Sequence, residues 1–370
     1  MKDLSYHNAL AVTALPSPSS DLSGVIVRLI SDDKPYWCNG SAWIDLSATG
    51  SGSPAGSSGA VQYNDGGSFG GITNVSVDSG DVVFESNDSP SSPSASKVKL
   101  FGKNIGPSNC RVLPAIQESV GSSYFLQSSL WKRKIVRFNP LANSTNTPTH
   151  DGTQTFGTTA TVVARLQATT SPLKRARRYG LTSKTDAGSM AGHSTSAWTG
   201  TLCLGDGSGN GGFLYNCQFG VSDSSLQSAA RMIVGLFISM SPGINIDPAT
   251  ISNLIGIGHK ENDTNWFIYY GGSAAQSRID LGSDFPINLT DLMNLTLISK
   301  PSEDGVVHYE VTRYSNSGTF VTSGTLGPGT AGVTLPANSS FLGHKAWRTN
   351  NTAAVSIGMD IASIYYESEY

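Results

Sequence analysis

Short runs in which apolar and polar residues alternate recur along most of this chain. Val307, Tyr309 and Val311 interleave with His308, Glu310 and Thr312, a period of two that turns one set of side chains to a core and the other to solvent. The same pattern, broken by Gly, Asn and Asp turns, predicts strands over Phe213–Val221, Met232–Ser239, Trp266–Tyr270, Leu295–Lys300, Gly305–Arg313, Gly318–Leu326, Val355–Ile361 and Ala362–Glu367. Ala160–Leu166 and Ser196–Leu204 are further strand segments. In Trp266–Tyr270, alternation puts Trp266, Ile268 and Tyr270 on one face and Phe267 and Tyr269 on the other. Spaced short strands without a fixed repeat predict an all-β chain whose residues 135–370 form a β-sandwich, jelly-roll-like head. Two helices are expected. Asp247 caps one at Pro248–Leu254, with proline at the first helical position; the other, Ser122–Lys132, has Leu126 and Leu130 four apart.

The first 134 residues differ in texture. Val25–Ile30, Tyr36–Cys38 and Trp43–Leu46 read as strands of a small N-terminal β module over residues 1–48, with a tight turn at Asn39–Gly40. Tyr36, Trp37 and Trp43 are many rings for so short a unit. A domain below about 40 residues rarely stabilises itself, so the rings are expected to pack on neighbouring chains or on a mounting protein, a private mini-core being the alternative. Residues 49–71 begin as a Gly/Ser spacer that buries little. They end in a hairpin, where Val61, Tyr63 and Phe69 alternate about Asn64–Gly67. Residues 72–134 then read as a β-rich shaft or neck, with strands at Ile72–Val77, Asp81–Glu85, Lys97–Phe101 and Arg111–Ile116.

Composition sharpens this picture at one point. Charged residues are 14% of the 370 positions, against about 25% in an ordinary domain. Such a surface, rich in Ser, Thr, Asn and Gly, suits hydrogen bonding to glycans or to another copy of the chain. A net charge of −3 draws the chain neither to nucleic acid nor to an anionic membrane. The apolar run Met232–Ile238 is far shorter than the ~20 residues of a membrane span, and the first ten residues lack a signal-like apolar run, so membrane insertion is not expected and the chain is expected to fold where it is made. Cys38, Cys110, Cys203 and Cys217 show no metal-binding spacing. Reduced, buried thiols are expected, with a Cys203–Cys217 pair across a glycine-rich turn as the alternative.

Candidate chemistry is sparse. Asp206, Ser208 and Asn210 with Gly211 begin like a calcium loop, but Cys217 stands where the final bidentate carboxylate belongs. A plain glycine-rich hairpin loop, with no metal and no cofactor, is the expectation. Lys174, Arg175, Arg177 and Arg178 are four cations in five residues, either a patch for an anionic ligand or the charged edge of a strand. Glu261 with Asp263, or Asp280 with Asp284, could form a hydrolase pair, yet all four sit at turns where acids are ordinary. His308 reads as a surface histidine beside Glu310; His150, Asp151 and His193 have no nucleophile partner in the sequence. No enzyme is predicted and no catalytic residue assigned. The turn holding His259, Lys260, Glu261, Asn262 and Asp263, and the loop holding Trp347, Arg348 and Asn350, are read as exposed loops suited to binding.

Several stretches resemble tail-fibre proteins of tailed bacteriophages. "VQYNDGGSFGG" after a Gly/Ser spacer and "VVFESNDSPSSPSASKVKLFGKNIG" are similar to their middle region. "SMAGHSTSAW", "GDGSGNGGF", "IGIGHKENDTNW", "GVVHYEV" and "SIGMDIASIYYESEY" are similar, in order, to their C-terminal heads. The resemblance implies a virion protein, made in the host cytoplasm. It further implies a homotrimeric fibre with its N-terminus toward the virion, where phage tail or baseplate proteins are the expected partners; Tyr36, Trp37 and Trp43 are the candidate attachment or subunit contacts. The β-sandwich head would then meet a host surface glycan, pilus or outer-membrane protein through the loops named above. A structural head or collar fibre and a glycan-cleaving tailspike are the other readings.

Overall fold

The computed structural model describes residues 10–46, 59–65, 68–84, 91–95, 97–105, 111–118, 123–125, 134–138, 154–156, 161–195, 201–238 and 245–368. It divides into two compact units, Met1–Glu85 and Ser86–Tyr370. In the first, β1 (Leu10–Val12), β2 (Ile26–Leu29), β3 (Lys34–Cys38) and β4 (Trp43–Asp45) form one sheet, with β1 parallel to β2. Val27 and Cys38 are its buried residues. The expected hairpin is present as β5 (Ala60–Asp65) and β6 (Ser68–Asp78), and β7 (Asp81–Phe84) completes a second sheet. Every residue of β7 is exposed.

The second unit opens with a three-stranded sheet of β8 (Val98–Ile105), β9 (Arg111–Glu118) and β10 (Ser123–Phe125). The helix expected at Ser122–Lys132 is therefore corrected at its start: Ser123–Phe125 pairs with Gln117–Ala115 as a strand, and residues 126–133 lie outside the described part. Two leucines four apart do not outweigh a ready sheet edge beside β-favouring Tyr124 and Phe125.

The rest is a two-layer sandwich. Its strands are β11 (Lys134–Phe138), β12 (Gln154–Phe156), β13 (Thr161–Val163), β14 (Tyr179–Thr182), β15 (Met190–Ser194), β16 (Phe213–Val221), β17 (Arg231–Phe237), β18 (Leu254–His259), β19 (Phe267–Gly271), β20 (Ile279–Asp280), β21 (Leu292–Ser299), β22 (Val307–Ser315), β23 (Gly318–Leu326), β24 (Gly343–Thr349) and β25 (Gly358–Ser368). One sheet has eight strands, in the order β13-β14-β25-β16-β21-β22-β23, with β11 also on β25. The other has seven, in the order β12-β15-β24-β17-β18-β19-β20.

Alternation builds the core between them. Phe213, Tyr215, Cys217, Phe219 and Val221 of β16, with Leu295 and Leu297 of β21, meet Met232, Val234 and Leu236 of β17 and Ile255 and Ile257 of β18. Each such side chain contributes roughly 1.5–3 kcal/mol of burial. Trp266 and Ile268 join this core, whereas Tyr269 lies in a second cluster on the outer side of the seven-stranded sheet, with Phe267 packed against it. The expected split of faces holds. In that sheet Gly235 and Gly256 are directly opposed, and a Cβ on Gly235 would sit 2.2 Å from the Ile255 carbonyl oxygen. The two strands meet there only because neither residue has a side chain.

Two predicted strands, Val355–Ile361 and Ala362–Glu367, are one. Gln218 pairs with Ser363 and Phe219 with Ile361, so Ala362 is an extra residue in β25, a β-bulge. It shifts the core-facing set from Met359 and Ile361 to Ile364 and Tyr366, which is why the pattern looked broken. At Pro248–Leu254 the helix is only the 3-10 turn Pro248–Thr250, still capped by Asp247 through the Ala249 amide at 2.9 Å; Leu254 already belongs to β18.

Candidate functional site

The predicted binding loops fall at one end of the sandwich, and only part of them is exposed. His259 and Arg348 both point between the sheets, where each is almost wholly buried. Arg348 Nε and Nη2 donate to Asp223 Oδ1 and Oδ2 at 3.1 and 2.5 Å, and its Nη1 lies 2.7 Å from His259 Nε2. A guanidinium only donates, so His259 accepts at Nε2 and carries its proton on Nδ1, which donates to the Lys260 carbonyl at 3.2 Å. Burial, with the arginine charge adding to it, lowers the His259 pKa to about 3; the ring is neutral.

Trp347, also buried, belongs to the apolar outer cluster with Ile233, Phe237 and Tyr269. Asn350 is fully buried, and its amide donates to the carbonyls of Asp186 and Val355 at 2.9 and 2.8 Å. The expectation that His259, Trp347, Arg348 and Asn350 are exposed contacts is thus corrected: all four are buried, His259 and Arg348 between the sheets and Trp347 in the outer cluster. Strand β24 runs on through Thr349, and its alternation turns Arg348 inward and Trp347 outward.

Lys260, Glu261, Asn262 and Asp263 do form a turn at the surface. Glu261 accepts from Arg231 Nε at 2.5 Å, which holds its carboxyl below the usual range. Asp263 takes the guanidinium of Arg278 on both oxygens and the Lys260 amide at 2.9 Å. Arg278 also lies 3.8 Å over the Phe267 ring and donates to the Tyr269 hydroxyl at 3.0 Å. Both carboxylates are committed to arginines, and the lowered Glu261 carboxyl is the opposite of the raised pKa a general acid needs. Asp280 accepts from the Gly282 amide at 2.8 Å, an ordinary turn contact.

The basic run is not a strand. Ser171 caps the one-turn helix Pro172–Arg175, whose Leu173 is buried against Leu292 and Ala362. Lys174, Arg175 and Arg177 are exposed, while Arg178 is buried and bonds Asp360 at 2.7 Å. Ser171-Pro172 is a helix start that four charges in five residues obscured. In the first unit Tyr36 donates to Asp32 at 2.7 Å, Trp43 Nε1 donates to the Pro16 carbonyl at 2.7 Å, and Trp37 is 36% exposed.

The opposite end of the head holds a concave site. Loops 203–212, 300–306 and 327–342 converge there: Gly209 N donates to the Pro301 carbonyl at 3.1 Å and Asn338 Nδ2 to Asp304 at 3.1 Å. Gly205 makes the closest approach, since a Cβ on it would stand 1.8 Å from the Lys300 carbonyl oxygen. One cavity, about 150 Å³, is walled by Asp304, Gly305, residues 329–332 and Thr334–Asn338. A second, about 400 Å³ and more open, is lined by Cys203, Leu204, Asp206, Asn210, Gly211, Asn338, Ser339 and Phe341. Phe341 is 55% exposed, an aromatic face beside a carboxylate, two carboxamides and a hydroxyl. That mixture matches a sugar, which offers an apolar C–H face and a rim of hydroxyls.

Asp206 of the calcium-like loop is occupied by its own turn: Oδ1 accepts from the Ser208 and Asn210 amides at 2.7 and 3.0 Å, and Oδ2 from the Asn210 side chain at 2.8 Å. These bonds hold its carboxyl below the usual carboxylate range. Cys38, Cys203 and Cys217 are buried thiols, and burial pushes the Cys217 thiol up to about 12; Cys110, His150 and Asp151 lie outside the described residues. His308 Nε2 is 2.6 Å from Glu303 and its Nδ1 3.1 Å from Thr325. Sequence reading missed Asn338, Ser339 and Phe341. The available signal was one large aromatic ending a long Gly, Pro, Thr and Asn stretch.

No family model matches the chain, and no curated protein does. Among solved structures, peanut lectin is 12% identical with a TM-score of 0.42, over 64% of this chain and 98% of that one. A carbohydrate esterase from Shiga toxin-encoding bacteriophage phi24B is 16% identical with a TM-score of 0.32, over 59% and 91%. The CBM2 module of the evolved Dit of Lactobacillus casei BL23 phage J-1 is 12% identical with a TM-score of 0.32, over 60% and 90%.

Proposed function

We propose that this protein is a tail-fibre, receptor-binding protein of a tailed bacteriophage. Its head binds a host-surface glycan through the rim formed by loops 203–212, 300–306 and 327–342, without chemical turnover. The observation that carries the reading is the rim itself, where exposed Phe341 stands beside Asp206, Asn210, Asn338 and Ser339 in one concavity. The tail-fibre resemblance along the sequence supplies the particle, and with it the virion location and attachment through the N-terminal unit. Homotrimer formation is part of the same proposal. It is supported by the apolar surface of the first unit, where Val77, Val82, Val83 and Phe84 are each at least 36% exposed and would be covered by further copies.

Phage carrying Phe341→Ala or Asn338→Ala fibres, assembled normally, is expected to adsorb at least about tenfold more slowly, because a stacked ring and a paired amide are lost. Unchanged adsorption by both variants sinks the pocket. Release of reducing sugar from host polysaccharide would make the protein a depolymerase instead. Normal assembly with no host binding by the parent fibre would leave a purely structural role.

A further inference from the structure

The two rim cavities share Asn338 as a wall. The smaller, at about 150 Å³, is below the roughly 300–1,000 Å³ of usual ligand clefts, while the larger, at about 400 Å³, is within that range. An occupant that uses both is longer than one ring. Within the two cavities, though not along the whole rim where Lys300 pairs with Glu303, the charge is one-sided. Asp206 lines one cavity and Asp304 the other, and no Lys, Arg or His lines either. Several other carboxylates of the head, Asp223 and Asp360 among them, are held by arginines. Among the described residues Asp206 and Asp304 bond only neutral amides, which orient the charge without cancelling it. The two loops lie against each other, since a Cβ on Gly207 would lie 3.2 Å from that of Asp304.

We infer that the rim takes a glycan of at least two sugar units bearing no acidic group, and that it favours amine-bearing sugars over neutral ones. This rests on the glycan-binding reading of the rim. Uronates, sialyl groups and phosphosugars would bring an anion against two uncompensated carboxylates at short range, where screening by salt is weak. A protonated amine would gain from the same field. The exposed cations Lys174, Arg175 and Arg177 lie in and just after the helix Pro172–Arg175 and line neither cavity.

The test is binding of the full chain to an array of neutral, amine-bearing and acidic glycans of one to four units, followed by titration calorimetry on the best of each class. Amine-bearing and neutral members are expected to bind at least about tenfold tighter than matched acidic ones, and pairs of units tighter than single units. In 1 M salt, with a screening length of about 3 Å, the gap between classes should narrow. In an Asp206→Asn, Asp304→Asn double variant of unchanged melting temperature it should close. Equal or tighter binding of the acidic class, or single units binding as well as pairs, overturns the inference while leaving glycan binding standing. Silence across the array, together with normal adsorption by Phe341→Ala phage, brings down the pocket and this inference together.

Discussion

Arg348 has no exposed surface, and its guanidinium holds only because Asp223 meets it with both oxygens while His259 accepts the remaining edge. Removing one partner of such a pair strands a charge in the core. Asp223→Asn is expected to cost roughly 3–5 kcal/mol, readable in urea melts, with much of it recovered by adding Arg348→Met. The histidines of the core set an acid limit. Burial lowers His193 to about 4 and His259 to about 3, and holds His344 well below its ordinary value. All three are neutral when folded and take protons near pH 6.5 when unfolded. Their contribution is therefore intact above about pH 6.5 and is lost as pH falls from there toward the folded values. Each proton steepens the loss by about 1.4 kcal/mol per pH unit, so melts at pH 7, 6 and 5 should show accelerating destabilisation. A pH-independent midpoint across that range would contradict the buried, neutral assignment.

Elements decide where the site forms. Strand β25 pairs along one edge with β11 and β14 in succession and along the other with β16, and its bulge at Ala362 keeps both halves facing the core. That frame holds the ends of β16, β21 and β23 together, and the rim loops spring from those ends. The contact of Gly205 with the Lys300 carbonyl draws two of the loops together. Gly205→Ala forces them apart and is expected to lower glycan binding by more than tenfold. The cost in stability should be the roughly 1–3 kcal/mol of a local overpacking. Calorimetric melting beside a binding titration separates the two effects. Equal binding by this variant would mean that the loops need not touch.

At the scale of the whole molecule, the first unit leaves much apolar surface uncovered, with Val82 59% and Ile30 57% exposed. Light scattering on the full chain is expected to give three times the 38.8 kDa of one copy. A monomer at micromolar concentration would contradict the trimer. The strand alternation, the paired faces of Trp266–Tyr270 and the Asn64–Gly67 hairpin were legible because they depend on neighbours two residues apart. The basic run misled because charge density says nothing of which cation finds a carboxylate: Arg178 meets Asp360, 182 positions away. The loop around Trp347 misled similarly, since a polar string reads as surface even when its groups bond one another.

Period-two patterning and turn chemistry, both local, determined by themselves that this protein is an all-β chain. Which polar residues face inward, and which loops share a rim, depended on register between strands far apart in sequence. Asp206, Asp304, Asn338 and Phe341 become neighbours only when two sheets close over one core, because nothing short of that closure brings three separate strand ends to one place.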